Sequence, residues 1–181
     1  RIATPEQRAR AVEFFRSVAA HIGDRNIRVC IEANPIDYGC NFLTNAESAR
    51  EFVLEVDCVP QISLVLDTGC MQLAGDEPFS ALARNMDILG HVHFSAPQLK
   101  ELVNKSLPYL KLWLHRLGYQ GAFTVEALNL EPQQLMSSLR TVLRFPTHPQ
   151  PLKTGNAAAQ PQLQEAEAAE PHEKRRKCGP A

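Results

Sequence analysis

At 181 residues, 44% of them hydrophobic, the chain can bury one ordinary core, and a formal net charge of -1 gives no basic field for nucleic acid. It has no run of about 18 apolar residues and no charged-then-apolar leader, so the expectation is a globular chain with neither membrane span nor secretory signal. Five cysteines (Cys30, Cys40, Cys58, Cys70 and Cys178), odd in number and without a CxxC pair, fit a reducing compartment better than a disulfide framework, and a cytoplasmic location is expected.

Thr4-Pro5-Glu6-Gln7 predicts a helix start, with Thr4 as N-cap, Pro5 in the first helical position and Gln7 closing a capping box. Ala11, Phe14, Phe15, Val18 and Ala19 then mark one helical face, and Gly23 is the stop. Ile27 to Glu32 is β-branched and nearly all apolar, a strand whose last residue is a carboxylate. A loop rich in Asn, Pro, Asp and Gly, Ala33 to Leu43, leads to a second capping box at Thr44 to Glu47. The helix it starts buries Ala49, Phe52, Val53 and Val56, and the next strand, Ile62 to Leu66, ends at Asp67.

Asp76-Glu77-Pro78 opens a short helix with Phe79, Leu82 and Met86 on one side and Gly90 at its end, and His91 to Phe94 is a third strand. Pro97 to Val103 and Leu107 to Leu117 are expected to be helical, with Leu110, Trp113, Leu114 and Leu117 on the core face and Gly118 as the stop. Ala122 to Glu126 is a fourth strand, again closing on a carboxylate, and the last helix turns Leu135, Leu139, Val142 and Leu143 inward. From Pro146 onward Pro, Gln, Ala and Glu dominate, large apolar residues nearly vanish, and a basic cluster, Lys174 to Lys177, lies near the end. Such a segment cannot bury enough surface to offset its ordering entropy, so a disordered tail, 146–181, is expected after a 1–145 domain.

Strands alternating with helices, about one pair per thirty residues, mean βα units around a parallel sheet. Glu32, Asp67, His93 and Glu126 then each sit at the C-terminal end of a different strand, the end at which barrels and doubly wound sheets assemble their chemistry. Three carboxylates converging there would repel strongly in a low dielectric, and a divalent cation resolves this. Three oxygen ligands with one imidazole suit Mn²⁺, Mg²⁺ or Co²⁺, and Zn²⁺ or Fe²⁺ are also accommodated. A Glu on each side of such an ion could move protons to and from a carbon beside a polarised carbonyl. The plainer reading of Asp67 is a cap on the turn or helix that follows its strand. His91 shares a face with His93, and period-2 alternation does not choose between them. Cys70 reads as a small buried residue or a soft fifth ligand, and Asn34 as a turn residue or a hydrogen-bonding partner for substrate.

The blocks IEANP (31–35), NFLTNAESAREFV (41–53), LVLDTGCM (64–71), LGHVHFS (89–95) and LGYQGAFTVEAL (117–128) occur in that order. Together they resemble the xylose isomerase-like TIM-barrel superfamily, and within it the sugar phosphate isomerase/epimerase group, over about Ile27 to Leu128. The resemblance implies an α/β fold, a parallel (β/α) barrel of TIM type of which only about the last four βα units are present, since a closed barrel has eight strands and about 250 residues. It implies that Glu32, Asp67, His93 and Glu126 bind a divalent metal, which favours His93 over His91. It further implies that Glu32 and Glu126 form an acid/base pair working through an enediolate on a small keto sugar or related polyol or hydroxy-keto compound. Asn34, Cys70 and His91 are the candidate substrate-binding residues.

Two departures from the family pattern matter. Members usually carry LDxxH, where this chain has Cys70 in the His place, and they usually follow the metal His with Ser-Asp or Ser-Glu and then an Arg, where this chain has Ser95-Ala96-Pro97 and Leu99. The metal set is intact and the substrate set altered. A start at Arg1 fits either a piece of a longer protein or a half-barrel that pairs with another half, and homo-oligomer formation is also expected, because an isolated half exposes an apolar sheet edge. The competing enzyme reading is an endonuclease IV-like phosphodiesterase, which needs more His ligands and a basic DNA face; the non-catalytic reading is a partial barrel kept as a binding module. Neither a nucleic-acid nor a membrane partner is expected.

Overall fold

The computed structural model of the protein describes residues 3–144, and the tail expected over 146–181 lies outside the described residues. In chain order the elements are α1 (Pro5–Ile22), β1 (Val29–Glu32), α2 (Ala46–Val56), β2 (Ile62–Asp67), α3 (Thr68–Ala74), α4 (Pro78–Arg84), β3 (Leu89–Phe94), α5 (Leu107–Arg116), β4 (Phe123–Val125) and α6 (Pro132–Leu143). Short 3-10 turns occupy Ile36–Tyr38 and Pro97–Leu99.

The helix starts follow from their caps. Thr4 and Gln7 form the expected capping box at the head of α1. At α2 the box sits one residue later than expected: Asn45, not Thr44, is the N-cap, its Oδ1 accepting from Ser48 N. Asn is at least as good a cap as Thr, and here the Asp76 carboxylate reaches across to accept from Ala46 N as well. Helix α3 was foreseen only in the plainer reading of Asp67, as a cap on a turn or helix after its strand, and that reading holds. Asp67 is its N-cap, so one residue both ends a strand and starts a helix.

All four strands are parallel, in the order β1-β2-β3-β4. The central strand β2 is buried at every residue, as a strand covered on both sides should be. Alternate residues Ile31, Leu64, Leu66, Val92 and Phe94 point into one core with Phe52 and Val53 of α2 and Leu110 and Leu114 of α5. Burying a side chain such as Phe52, which is fully enclosed, contributes roughly 1.5–3 kcal/mol. The other face of the sheet carries Cys30, Glu32, Ser63, Val65, Asp67, His91, His93 and Thr124. Among the described residues β1 and β4 are open edges, so the sheet is an arc rather than a closed ring, the partial (β/α) barrel expected from the sequence.

Four local expectations fail for identifiable reasons. Pro97 to Val103 is not a helix: Gln98 and Leu99 have φ of 56° and 55°, Leu99 N–H closes a turn on Ala96 O, and Leu102 is buried with its N–H donating to Ser138 Oγ. That bond also sets the facing of α6, where Ser138 and Val142 are buried while Leu135 and Leu143 are exposed rather than inward. Phe14 projects from α1 at 61% exposure, touching Phe15 edge-on, and it is Phe15 that meets Phe52. Gly90, expected to end a helix, lies inside β3, because α4 stops at Asn85. Among the described residues no helix is long and apolar enough to cross a membrane.

Gly90 is the extra residue at the register shift between Leu64 and Val65, where β3 pairs Leu89 with Leu64 and His91 with Val65. A Cβ there would stand 2.6 Å from Cys30 Sγ and 2.8 Å from both Arg28 Cδ and Ser63 Cβ. Gly90→Ala is therefore expected to destabilise the fold by about 1–3 kcal/mol in urea denaturation, the usual effect of overpacking. An unchanged midpoint would show that β3 does not approach β1 and β2 this closely.

Candidate metal centre

The register of the sheet delivers four side chains to one place. Asp67 pairs with His93 across β2 and β3, Glu32 ends β1, and Glu126 follows β4 with its N–H donating to Phe94 O, so the ladder continues one step past the strand. One ligand atom from each of Glu32, Asp67, His93 and Glu126 lies within 4.8 Å of the others. All four members of the expected set are thus brought together.

Their environments differ in ways that assign them different work. His93 Nδ1 is 3.1 Å from Glu32 Oε1 and 3.1 Å from Glu126 Oε2. The hydrogen bond to Glu32, with the charges of Glu32, Glu126 and Asp67 behind it, holds the imidazole above its ordinary pKa against the opposing effect of burial. A proton on Nδ1 then supplies, between two carboxylates, the positive charge that a bound cation would otherwise supply. Asp67 is 2% exposed, and its Oδ1 accepts from Cys70 N and from Ser95 Oγ, each at 2.6 Å. Its Oδ2 is buried with no hydrogen-bond partner. A buried, unpartnered carboxylate oxygen is costly unless something positive meets it, so the donor set fits a divalent cation. Three carboxylates and one imidazole are a hard, oxygen-rich set of the kind that takes Mn²⁺, Mg²⁺ or Co²⁺.

The three candidates for substrate contact lie outside this group of four. His91 is one pleat below His93 on the same face, ring centroids 5.1 Å apart, with Nε2 2.7 Å from Thr124 Oγ1. Burial, and then His93, push its pKa down, opposite to the shift of His93. Without a metal the Cys70 thiol is pushed well up, first by burial and then by the Asp67 carboxylate. Asn34 opens the loop after β1, its N–H donating to Leu43 O.

Tyr38, Thr68 and Ser95 bear on the site without having been singled out as site residues. Tyr38 sits in the loop after β1 and its hydroxyl accepts from Gln98 N at 2.9 Å, tying that loop to the turn after β3. Burial pushes the phenol pKa up, with Cys70, Asp67 and Glu126 adding to it against the Gln98 N–H, which places the ring beside the acidic cluster. Nothing in its spacing marks Tyr38, since the contact spans 60 residues. Thr68 and Ser95 bond to each other behind Asp67. The signal for them was the DTG run itself: a small polar residue and a glycine directly after a strand-end acid.

A family model described as xylose isomerase-like TIM barrel matches residues 2–144. No curated protein matches the sequence significantly. Among solved structures, the 3-keto-D-glucoside 4-epimerase from E. coli is similar with a TM-score of 0.64 at 20% identity, over 77% of this chain and 56% of that one. The D-allulose 3-epimerase from Methylomonas sp. gives a TM-score of 0.63 at 24% identity, over 78% and 50%. An AP endonuclease, family 2, from Brucella melitensis gives 0.66 at 18%, over 76% and 54%. The chain therefore spans about half the length of the structures it matches, and at these identities the likeness is one of fold. Since the family model extends over β1 to β4 and all four strand-end residues, the chain belongs to the xylose isomerase-like TIM barrel family.

Proposed function

We propose that this chain carries the metal-binding half of a divalent-metal-dependent isomerase or epimerase acting on a small keto sugar or a related hydroxy-keto compound. The observation that carries the reading is the convergence of Glu32, Asp67, His93 and Glu126, with the two glutamates on either side of His93. In this reading all four residues hold the ion, and the ion, when bound, polarises a substrate carbonyl and so acidifies the neighbouring C–H.

The protein's own groups then divide the labour by exposure. Asp67 is buried with one oxygen doubly hydrogen-bonded, so it is a ligand and not a proton carrier. The Glu32 and Glu126 side chains are 28% and 42% exposed and can reach a substrate. One glutamate, ionised, takes the proton from the carbon beside the carbonyl. The other, protonated at the start, returns a proton to the opposite face of that carbon, which epimerises it, or to the former carbonyl carbon, which isomerises the substrate as the hydroxyl proton of the first carbon passes to the former carbonyl oxygen. The roles exchange in the reverse direction. The Methylomonas structure is of a D-allulose 3-epimerase in complex with D-allulose, which supports free ketohexoses as the first substrates to try.

The similarity to an AP endonuclease of family 2 keeps phosphodiester cleavage as the competing reading. Among the described residues the acidic cluster holds one histidine, and the net charge of the chain is -1, neither of which suits a several-metal site facing DNA.

Two outcomes are expected. The chain binds one equivalent of Mn²⁺, and Glu32→Gln combined with Asp67→Asn weakens that binding by at least ~100-fold, more than loss of a supporting partner costs. Deuterium from D₂O exchanges into ketohexose at a carbon beside the carbonyl, read by NMR, when the chain is assembled with whatever completes its barrel; cleavage of an abasic-site duplex without any sugar exchange would overturn the proposal.

A pH dependence follows from His93. Its pKa is raised in the metal-free fold, so the stability it contributes is present below the unfolded value of 6.5 and lost as pH rises through the folded value. Metal binding needs the neutral ring, so Mn²⁺ affinity should rise over the same interval in which the metal-free melting temperature falls. In His93→Gln both slopes flatten, and a Mn²⁺ affinity that does not change with pH in the wild-type chain would contradict the assignment.

A further inference from the structure

Asp67 would be a poor fixed ligand if its carboxylate could turn, because either oxygen could then face the ion and the geometry would vary. The chain prevents this with a small, fully bonded clasp between the ends of β2 and β3. Ser95 Oγ is 3.1 Å from Gly69 N and 2.6 Å from Asp67 Oδ1. The Gly69 N–H can only donate, so the hydroxyl accepts from it and its single proton goes to Asp67. The Ser95 backbone is held in turn by Thr68: Ser95 N–H donates to Thr68 Oγ1 at 2.9 Å, and that hydroxyl donates to Ser95 O at 2.8 Å. Thr68 and Ser95 are 6% and 4% exposed, so no water competes freely for these bonds.

Gly69 is where the two segments touch. A Cβ there would collide with Ser95 Oγ and stand 2.7 Å from both Ala96 C and Ala96 O, so the close approach of the β3 end requires glycine at this place. With Cys70 N–H as its second donor, Oδ1 is saturated, while Oδ2 is left as the unpartnered oxygen. The same strand end that brings His93 to the site thereby sets the orientation of Asp67.

We infer that Ser95 is a positioning residue for the centre: its hydroxyl fixes the Asp67 carboxylate so that Oδ2 alone is offered to a divalent cation, and cation affinity depends on that hydroxyl although Ser95 does not touch the ion. This rests on the metal-binding reading above. Val12 provides the stability control, because it is buried on α1 and belongs neither to the acidic cluster nor to the clasp.

The test measures Mn²⁺ alone binding to the full chain, from the loss of the free-ion EPR signal, beside the melting temperature of each metal-free variant. Ser95→Ala is expected to weaken Mn²⁺ binding by about 10–100-fold, the usual effect of removing a partner of a ligand. Ser95→Cys, nearly isosteric with a weak S–H donor, gives a smaller loss and keeps the test alive if the alanine variant does not fold. Val12→Ala lowers the melting temperature and leaves Mn²⁺ affinity unchanged. Wild-type affinity in both Ser95 variants, or affinity losses that track melting temperature in all three, would overturn the positioning role. Asp67→Asn separates this from failure of the metal reading: if it binds Mn²⁺ as the wild type does, or the wild type binds none, both fall together.

Discussion

Three carboxylates and an imidazole held within 4.8 Å of one another are the constraint on which the rest of the structure depends. Groups of like charge this close raise one another's energy steeply once water is removed. The fold answers differently at each member. Asp67, in the dry interior, has one oxygen saturated by Cys70 N–H and the Ser95 hydroxyl. Glu32 and Glu126 remain partly open to solvent and share His93 between them. What these arrangements leave over is a single buried oxygen, Asp67 Oδ2, and with it the reason to expect a cation.

The parallel register turns that local chemistry into a fold requirement. Asp67 opposes His93 only because β3 carries the extra residue Gly90 at the shift beside Leu64 and Val65. Regular pairing from Leu64 and Leu89 without that shift would set Val92 opposite Asp67 and send His93 toward the helices. The site and the core are therefore read from the same alternation: Leu66, Val92 and Phe94 go inward to α2 and α5, and their neighbours Asp67, His91 and His93 go to the opposite face. The contact between Ser95 and Gly69 then locks the two central strands at the height where the acids meet.

Glu32, Asp67 and Glu126 were legible because a carboxylate closing an apolar strand has little packing role to explain it. His93 was not separable from His91 by periodicity, and the structure distinguishes them by partners, two glutamates for His93 and Thr124 for His91. Helix α3 was readable only as the plainer alternative for Asp67, and the structure shows that residue serving as strand end and helix cap at once. The segment after β3 looked helical from its leucines, but two consecutive left-handed residues, Gln98 and Leu99, are a tertiary choice with no glycine to announce it. Ser95 and Tyr38 act through bonds to residues 28 and 60 positions away, which no local pattern carries. Of the site, the ligand set was readable and its support was not.

The four strands provide the whole acidic cluster but only an arc of wall around it, and the structures they resemble are about twice as long. The proposed cation site is thus complete within the chain, whereas the proposed turnover would also depend on what faces the arc. The most direct measurement is crystallographic: an anomalous difference map from crystals grown with Mn²⁺. The account predicts one peak in bonding contact with Glu32, Asp67 Oδ2, His93 and Glu126 together. A map with no peak there, and Asp67 Oδ2 instead hydrogen-bonded to water or to a protein donor, would contradict it.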